Sequence, residues 1–211
     1  MITAYDKSYL EKARTSLGRM FDFAVYDLKY SISDFYNLFL ESDISEKFEN
    51  GNVNTLVGCS GVELAYEVIG DSERKIKPSY IANRSKEYWL GWALAYVQWV
   101  TALSFSDITK YIPIEEMLEM YSPYHEMDIR QFLDSILEKY NLRKKETNLK
   151  LRRIDLGLSQ KKLSELSGIP LRTLQQYEQG QKNINNANVE YLISLSKVLY
   201  CKVESLLERK A

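Results

Sequence analysis

The residues that could support catalysis or metal binding are few and lie apart in the sequence. His125 is the only histidine, and it has no His, Cys or Asp partner at the spacing of metal ligands. Cys59 lies in the segment GCSG, but a nucleophile needs a neighbouring base, and only His125 or a carboxylate could serve. We therefore predict that the protein is not an enzyme and that it holds no metal and no cofactor.

Hydrogen-bonding side chains in the segment PLRTLQQYEQG indicate a different kind of chemistry. Arg172, Gln175 and Gln176 are long polar side chains within residues 170–180. Side chains of this kind recognise other molecules by hydrogen bonds and do not need a reactive group. The question is which molecule they meet and which elements hold them.

The charge of the chain is unevenly distributed. Residues 1–140 contain 14 Lys and Arg against 22 Asp and Glu, a net charge of −8. Residues 141–211 contain 14 Lys and Arg against 7 Asp and Glu, a net charge of +7. The split predicts that the second half meets a polyanion and that the first half does not.

The composition predicts a folded protein of the cytoplasm. The 211 residues are 45% apolar and 12% aromatic, with 16 tyrosines, which is enough for one large domain or two modest ones. Only two cysteines occur, far apart, and the first residues lack the pattern of a secretory signal. The most apolar stretch, Tyr88 to Leu103, is shorter than the roughly 20 residues of a membrane span. We predict that it is a buried helix and that the protein has no membrane partner.

Helices are predicted throughout the first half, so the fold class is all-α. Apolar residues recur at i, i+3, i+4 and i+7 in residues 10–21 and 129–140, as on one face of a helix. Pro113 followed by two glutamates is a helix start signal. Segment 50–61, which is rich in Gly and Asn, is predicted to be a loop with room for a short extended piece.

Five short helices are predicted in the second half. Asn148 is a candidate N-cap for the first, and the turn SGIP between the second and third is as tight as a helix-turn-helix requires. The predicted helices cover residues 148–157, 159–168, 170–180, 188–200 and 203–209.

A basic linker at 141–147 is predicted to separate a helical, acidic domain at 1–140 from a second domain at 148–211. One helix could also cross this boundary, because no Gly or Pro occurs between Asp128 and Leu156.

The second half resembles the Cro/XRE type of phage-repressor-like helix-turn-helix domains. The resemblance covers residues 147–208 and depends on a combination of motifs: Gly157-Leu158-Ser159-Gln160, Leu163, Ser167-Gly168-Ile169, Thr173-Leu174, Glu178, Gly180 and the Leu-rich helices that follow. It implies a five-helix DNA-binding domain at 148–211. It also implies a sequence-specific transcription regulator, most simply a repressor.

The resemblance implies roles for the polar side chains of the third helix. The N-terminal residues of a recognition helix meet base edges in the major groove, where Arg suits guanine, Gln suits adenine and an apolar side chain suits the thymine methyl. The predicted base contacts are Leu171, Arg172, Gln175 and Gln176, of which Gln175 is the weakest candidate. The predicted phosphate contacts are Gln160, Lys161, Thr173, Gln179, Gln181, Lys182 and Asn183.

Members of this family also carry a buried ion pair, which corresponds here to Arg153 and Glu178. The implied core comprises Leu156, Leu158, Leu163, Leu166, Ile169, Leu174, Leu192, Leu195, Leu199 and Leu206. One departure is Pro170, where the family has Ser or Thr: proline suits a helix start but offers no capping hydroxyl.

The first domain leaves alternatives open. Four aromatic residues are spaced 3, 4 and 3 residues apart: Trp89, Trp92, Tyr96 and Trp99. They form either a stripe packed in the core or a surface that binds a partner. We favour an antitoxin and autorepressor of a toxin–antitoxin operon, whose acidic first domain binds the toxin. The alternative is a one-component regulator whose first domain senses a small ligand; an enzymatic first domain is disfavoured by the lack of a catalytic set. A homodimer is expected, because such domains bind two DNA half-sites.

Overall fold

The chain folds as two units, which comprise residues 1–140 and 141–211. The computed structural model describes residues 3–71, 73, 76–79 and 84–208. Every regular element in these described residues is helical, which confirms the all-α prediction. None of the described helices has the length and apolar character that crossing a membrane requires.

Nine helices are described in residues 3–143. They are α1 (Leu10–Tyr26), α2 (Ile32–Glu41), α3 (Asp43–Glu49), α4 (Gly61–Ile69), α5 (Lys86–Thr101), α6 (Phe105–Tyr111), α7 (Ile114–Glu119), α8 (Tyr121–Tyr124) and α9 (Ile129–Arg143). A 3-10 helix, Lys7–Tyr9, precedes α1, and a π-helix, Asn54–Gly58, lies where the sequence predicted a loop. Because α9 ends at Arg143, the first three residues of the predicted linker are helical.

Serine hydroxyls start four of these helices. Ser31, Ser60, Ser85 and Ser104 each accept a hydrogen bond from the backbone N–H three residues later. At α4 the Glu63 carboxylate also accepts from the Ser60 N–H, which completes a capping box. Each such cap stabilises a helix by about 1 kcal/mol, and together the caps set the helix boundaries.

Two glycines allow α1 and α5 to approach closely. A Cβ atom on Gly91 of α5 would lie 2.5 Å from the Leu17 carbonyl oxygen of α1. A Cβ atom on Gly18 of α1 would lie 2.7 Å from the Tyr88 carbonyl oxygen of α5. No side chain fits at either position. The predicted helix from Tyr88 to Leu103 is thus held against α1 at the centre of the unit.

Aromatic rings fill the core beside α1. The Phe21 ring meets those of Phe35, Tyr36 and Phe39 edge to face, with centroids 5.9–6.2 Å apart. Such geometry is the preferred one for aromatic pairs. The phenylalanines among them are fully buried.

The second unit contains four α-helices among its described residues: α10 (Asn148–Asp155), α11 (Gln160–Ser167), α12 (Leu171–Glu178) and α13 (Val189–Val198). Short 3-10 helices follow α12 at Ile184–Asn186 and α13 at Val203–Ser205. The predicted fifth helix is therefore only a 3-10 turn, and its last predicted residue, 209, lies outside the described residues.

Two predictions about the second unit are wrong in detail. Thr147, not Asn148, caps α10: its hydroxyl accepts from the Lys150 N–H. Leu156 and Leu166 were predicted in the core but are 44% and 51% exposed. Leu156 is the C-cap that follows α10, and Leu166 lies in the last turn of α11, so both are at helix ends, whereas Leu149 and Leu163 lie nearer the helix starts at 0% exposure.

Candidate nucleic-acid interface

The turn between α11 and α12 sets the angle between the two helices. Gly168 ends α11 in the left-handed conformation, with φ +71°, and its N–H donates to the Ser164 carbonyl. The Ser164 hydroxyl in turn donates to the carbonyl oxygen of Ile169 at 2.6 Å, and the Ile169 side chain is buried. A Cβ at Gly168 would meet no atom within 4 Å, so glycine is needed there for its backbone conformation alone.

The first turn of α12 has no side-chain cap. Pro170 stands at the N-cap position with φ −55° and ψ 133°, and its carbonyl accepts from the N–H groups of Thr173 and Leu174. The departure noted at Pro170 therefore leaves the helix N-terminus, with its partial positive charge, open to an outside acceptor.

One face of α12 is open and the other is buried. Leu174, Tyr177 and Glu178 point into the unit. Among the remaining residues of the helix, Leu171 and Arg172 are exposed. Gln175 and Gln176, one turn further along, are half-buried, and Thr173 is also half-buried. The structure thus brings the four predicted base-contacting side chains together on one helix face.

A buried ion pair joins α10 to α12. Arg153 Nε and Nη2 donate to the two carboxylate oxygens of Glu178 at 2.6 and 2.9 Å, and Nη1 donates to the Leu158 carbonyl at 2.7 Å. The Glu178 side chain is 1% exposed and that of Arg153 is 11% exposed. The hydrogen bonds to Glu178 raise the pKa of Arg153. The pair is bidentate and satisfied, so it fixes the rotation of α12 about its axis.

Gln160, predicted to contact phosphate, is bound to this ion pair. Its Nε2 donates to Glu178 Oε2 at 2.7 Å, and its Oε1 accepts from Gln175 Nε2 at 3.5 Å. Sequence reasoning missed this chain of contacts, because Gln160 lies 18 residues from Glu178. A phosphate or a base would have to compete with these hydrogen bonds for the side chains of Gln160 and Gln175.

Most of the other predicted phosphate contacts surround α12 on exposed positions. Lys161 on α11 and Lys182 after α12 are exposed, and among the described residues neither forms an ion pair. Gln181 donates to Gln179 at 2.9 Å. Asn183 is occupied as the cap of the 3-10 helix that begins at Ile184.

Part of the predicted basic linker is tied to the end of the second unit. Lys144 Nζ lies 2.6 Å from Glu208 Oε2, and the Lys144 side chain is only 7% exposed. The other carboxylate oxygen of Glu208 accepts from the Asn148 N–H at 2.6 Å. Lys144 therefore anchors the start of α10, a role that the sequence did not reveal.

In the first unit, the predicted partner surface makes extensive internal contacts. Trp89, Trp92, Tyr96 and Trp99 are half-buried against the core. The guanidinium of Arg14 lies 3.3 Å from the Trp92 ring centroid and 5.0 Å from that of Tyr96. Trp99 Nε1 donates to the carbonyl oxygen of residue 5 at 2.9 Å. A binding role for the exposed parts of these rings stays a prediction.

Arg14 packs against two of these aromatic rings, those of Trp92 and Tyr96. Its side chain is 7% exposed, Nη1 donates to Glu11 at 2.8 Å, and Nε and Nη2 find no hydrogen-bond acceptor among the described residues. Burial lowers the pKa of Arg14. The face of Trp92 offsets part of the lost hydration by cation–π attraction.

A cavity of about 180 Å³ lies beside α2 and α7. This is below the roughly 300–1,000 Å³ of typical small-molecule sites, and no residue of the tryptophan stripe lines it. The residues that line it are Ser33, Tyr36, Asn37, Leu40, Thr109, Pro113, Ile114 and Glu115.

Cys59 and His125 lie at the ends of different helices. His125 stacks on the Tyr121 ring at 4.1 Å and lies at the exposed end of α8. Cys59 follows the π-helix, and neither it nor Cys201 forms a disulfide. Within the described residues, no group of three His, Cys, Asp or Glu side chains is placed to hold a metal ion.

Two helices joined by a tight turn, with an open polar face on the second, define the second unit as a helix-turn-helix domain. Comparison with protein families agrees: residues 149–206 match a helix-turn-helix family model, of the Cro/XRE type. Comparisons with curated proteins and with solved structures gave no significant match. The matched segment covers only the second unit, and its class is that of DNA-binding transcription regulators.

Proposed function

We propose that the protein is a repressor that recognises an operator sequence with α12. The observation that carries the proposal is the open face of this helix, on which Arg172 and Leu171 are exposed beside Gln175 and Gln176. Arg172 would form a bidentate contact with guanine and Gln176 one with adenine, while Leu171 packs on a thymine methyl. Gln175 would reach a base after releasing Gln160.

The phosphate backbone would supply most of the affinity. The net charge of +7 in residues 141–211 favours a polyanion, and Lys161 on α11 and Lys182 after α12 are both exposed. The uncapped first turn of α12 would accept a phosphate in place of the missing hydroxyl of residue 170.

Selection from a random pool of duplexes tests the proposal. The full chain is expected to enrich one sequence motif, and its affinity for that motif should fall steeply as salt concentration rises. Enrichment of no motif, or binding that ignores salt, would contradict operator recognition. Transcription from a promoter that carries the selected motif then distinguishes a repressor from an activator.

We further propose that the first unit binds a basic toxin and that the protein is the antitoxin of the pair. The support is the net charge of −8 in residues 1–140, since complementary charge accelerates association and selects partners. Co-expression with the adjacent reading frame tests this: a toxin should co-purify with the full chain and lose its toxicity. If the neighbouring product neither binds nor harms the cell, the antitoxin role fails while DNA recognition stands.

A further inference from the structure

Arg14 of α1 is a buried charge, and one edge of its guanidinium has no partner. Its side chain is 7% exposed, and Nη1 donates to Glu11 at 2.8 Å. Nε and Nη2, which share the opposite edge, find no acceptor among the described residues. A buried donor without an acceptor costs free energy, and the cost is larger when the donor is charged. The free edge therefore indicates an acceptor that the described chain does not supply.

The same edge of another arginine in this chain binds a carboxylate. Arg153 Nε and Nη2 donate to the two carboxylate oxygens of Glu178 at 2.6 and 2.9 Å. The planar fork of a guanidinium matches the two oxygens of a carboxylate, which makes such bidentate pairs strong and specific. The free edge of Arg14 thus fits a carboxylate better than a spherical anion such as chloride.

The Tyr5 hydroxyl is a second buried donor near Arg14. Tyr5 is 9% exposed, and its hydroxyl has no hydrogen-bond partner among the described residues. Burial raises the pKa of this hydroxyl and the charge of Arg14 lowers it, so the two groups lie within electrostatic reach of each other. The backbone of Tyr5 is fixed, because its carbonyl oxygen accepts from Trp99 Nε1 at 2.9 Å. The hydroxyl and the free edge together offer three donors.

Aromatic rings form a wall beside these donors. The guanidinium carbon of Arg14 lies 3.3 Å from the Trp92 ring centroid and 5.0 Å from that of Tyr96. Surroundings of this kind have a low dielectric constant, which strengthens a hydrogen bond to an anion. The rings also provide an apolar surface for the carbon atoms of an organic acid.

We propose that Arg14 and Tyr5 form a closed binding site for a small carboxylate in the first unit. The two oxygens of the ligand accept from Nε and Nη2 of Arg14, and one of them also accepts from the Tyr5 hydroxyl. An anion is preferred to a neutral molecule because the guanidinium charge is buried. The proposal does not depend on DNA recognition by α12.

The wall of the site must move when a ligand enters, because the free donor atoms are buried from solvent. Trp92 and Tyr96 are only half-buried. Glu11, which holds the other edge of Arg14, has a side chain that is 74% exposed, and exposed ion pairs of this kind contribute little to stability. The site therefore suits a ligand of few atoms, for which a small displacement of the wall is enough.

A titration of the full chain with sodium acetate tests the site. Acetate replaces chloride at constant ionic strength, over about 0.01–100 mM, since a ligand of four non-hydrogen atoms binds with limited affinity. Tryptophan fluorescence should change along a saturable curve, because Trp92 packs on Arg14, and the thermal unfolding midpoint should rise. Acetamide has the same shape without the charge, so it is the matched control and should cause neither change.

Two substitutions assign the response to the proposed donors. Tyr5→Phe should weaken acetate binding by about tenfold, because it removes one hydrogen bond to a charged ligand. It should leave the midpoint without acetate unchanged, since the hydroxyl has no partner there. Arg14→Met keeps the apolar stem and should abolish the response. Arg130→Met, which removes a 74% exposed arginine of the same unit, is the control and should keep it.

The proposal is overturned if the wild type shows no saturable change when acetate replaces chloride, or if acetamide acts as acetate does. It is also overturned if Tyr5→Phe and Arg14→Met respond as the wild type does. If Arg14→Met does not fold, Tyr5→Phe decides alone, and an unchanged acetate affinity in that variant rejects the site. Failure of operator selection would leave this site standing, because no part of the titration involves DNA.

Discussion

At the scale of single residues, the Arg153–Glu178 pair shows how a buried charge can orient a binding helix. Glu178 accepts three hydrogen bonds, two from Arg153 and one from Gln160. We predict that Glu178→Gln lowers the free energy of unfolding by about 3 kcal/mol, because it leaves the Arg153 charge buried without a counter-charge. Urea denaturation measures the change.

The control for that prediction is Glu165→Gln. Glu165 is exposed on α11 and lies 3.9 Å from an exposed lysine, so its removal should change stability by less than about 0.5 kcal/mol. Equal effects of the two substitutions would show that the buried pair does not stabilise the domain.

Arg172 and Lys182 are expected to act on DNA in different ways. Arg172→Ala should cost about 1–3 kcal/mol of binding free energy and relax the base preference at one position, because it removes a base contact. Lys182→Ala should weaken binding to all DNA sequences alike and reduce the slope of log affinity against log salt by about 1. Binding titrations on the selected motif and its point variants measure both. Lys12→Ala, which removes an exposed lysine of the first unit, is the control and should change neither base preference nor the salt slope. If Arg172→Ala keeps the full base preference of the wild type, α12 has a different register on DNA.

Tyr200 follows α13 in a backbone conformation that favours glycine, with φ +48°, and its side chain is 89% exposed. Tyr200→Gly should therefore raise the free energy of unfolding by about 1 kcal/mol, since glycine adopts positive φ without strain. Thermal unfolding measures the change, and a variant that loses stability would show that the ring is part of the fold.

At the scale of helices, the two kinds of glycine in this chain predict different costs. Gly91→Ala should destabilise the first unit by about 3 kcal/mol or more, because the new methyl meets the backbone of α1. Gly70→Ala has open space but φ +68°, so only backbone strain of about 1 kcal/mol is expected. Denaturant unfolding of the two variants compares packing with strain directly, and a ranking in the opposite order would contradict the close contact of α1 with α5.

The helices could be predicted from the sequence, whereas the packing of each helix against the others could not. Periodicity predicted α9, and the glycines at 157, 168 and 180 marked the ends of α10 to α12. Burial of Leu163 and exposure of Leu166 could not be told apart, because both are leucines on one short amphipathic helix. Which side faces inward depends on helices far away in sequence.

The same distinction holds for the candidate site: features along one helix could be predicted from the sequence, whereas contacts between distant residues could not. The exposed face of α12 follows from spacing along one helix and could be predicted. The contact of Gln160 with Glu178, and the anchoring of Lys144 by Glu208, join residues 18 and 64 positions apart. Such pairs depend on how segments far apart in the sequence pack within the second unit, and no local pattern encodes them.

At the scale of the whole molecule, the opposite charges of the two units define the last prediction. The second unit has its own buried core, which includes Leu149, Leu174 and Leu195, so residues 141–211 should fold alone. This fragment carries +7, whereas the full chain carries −1. Without the acidic unit, its affinity for non-specific duplex DNA should exceed that of the full chain at low salt.

The difference should vanish near physiological salt, where charges more than about 8 Å apart are screened. Both proteins should show the same slope of log affinity against log salt there, because the slope counts the phosphates that are neutralised and α12 with its neighbours is unchanged. Anisotropy titrations from about 20 to 200 mM salt measure this. A fragment that folds cooperatively but binds no DNA at low salt would contradict the assignment of DNA binding to this unit, because its charge of +7 would then have no role in binding a polyanion.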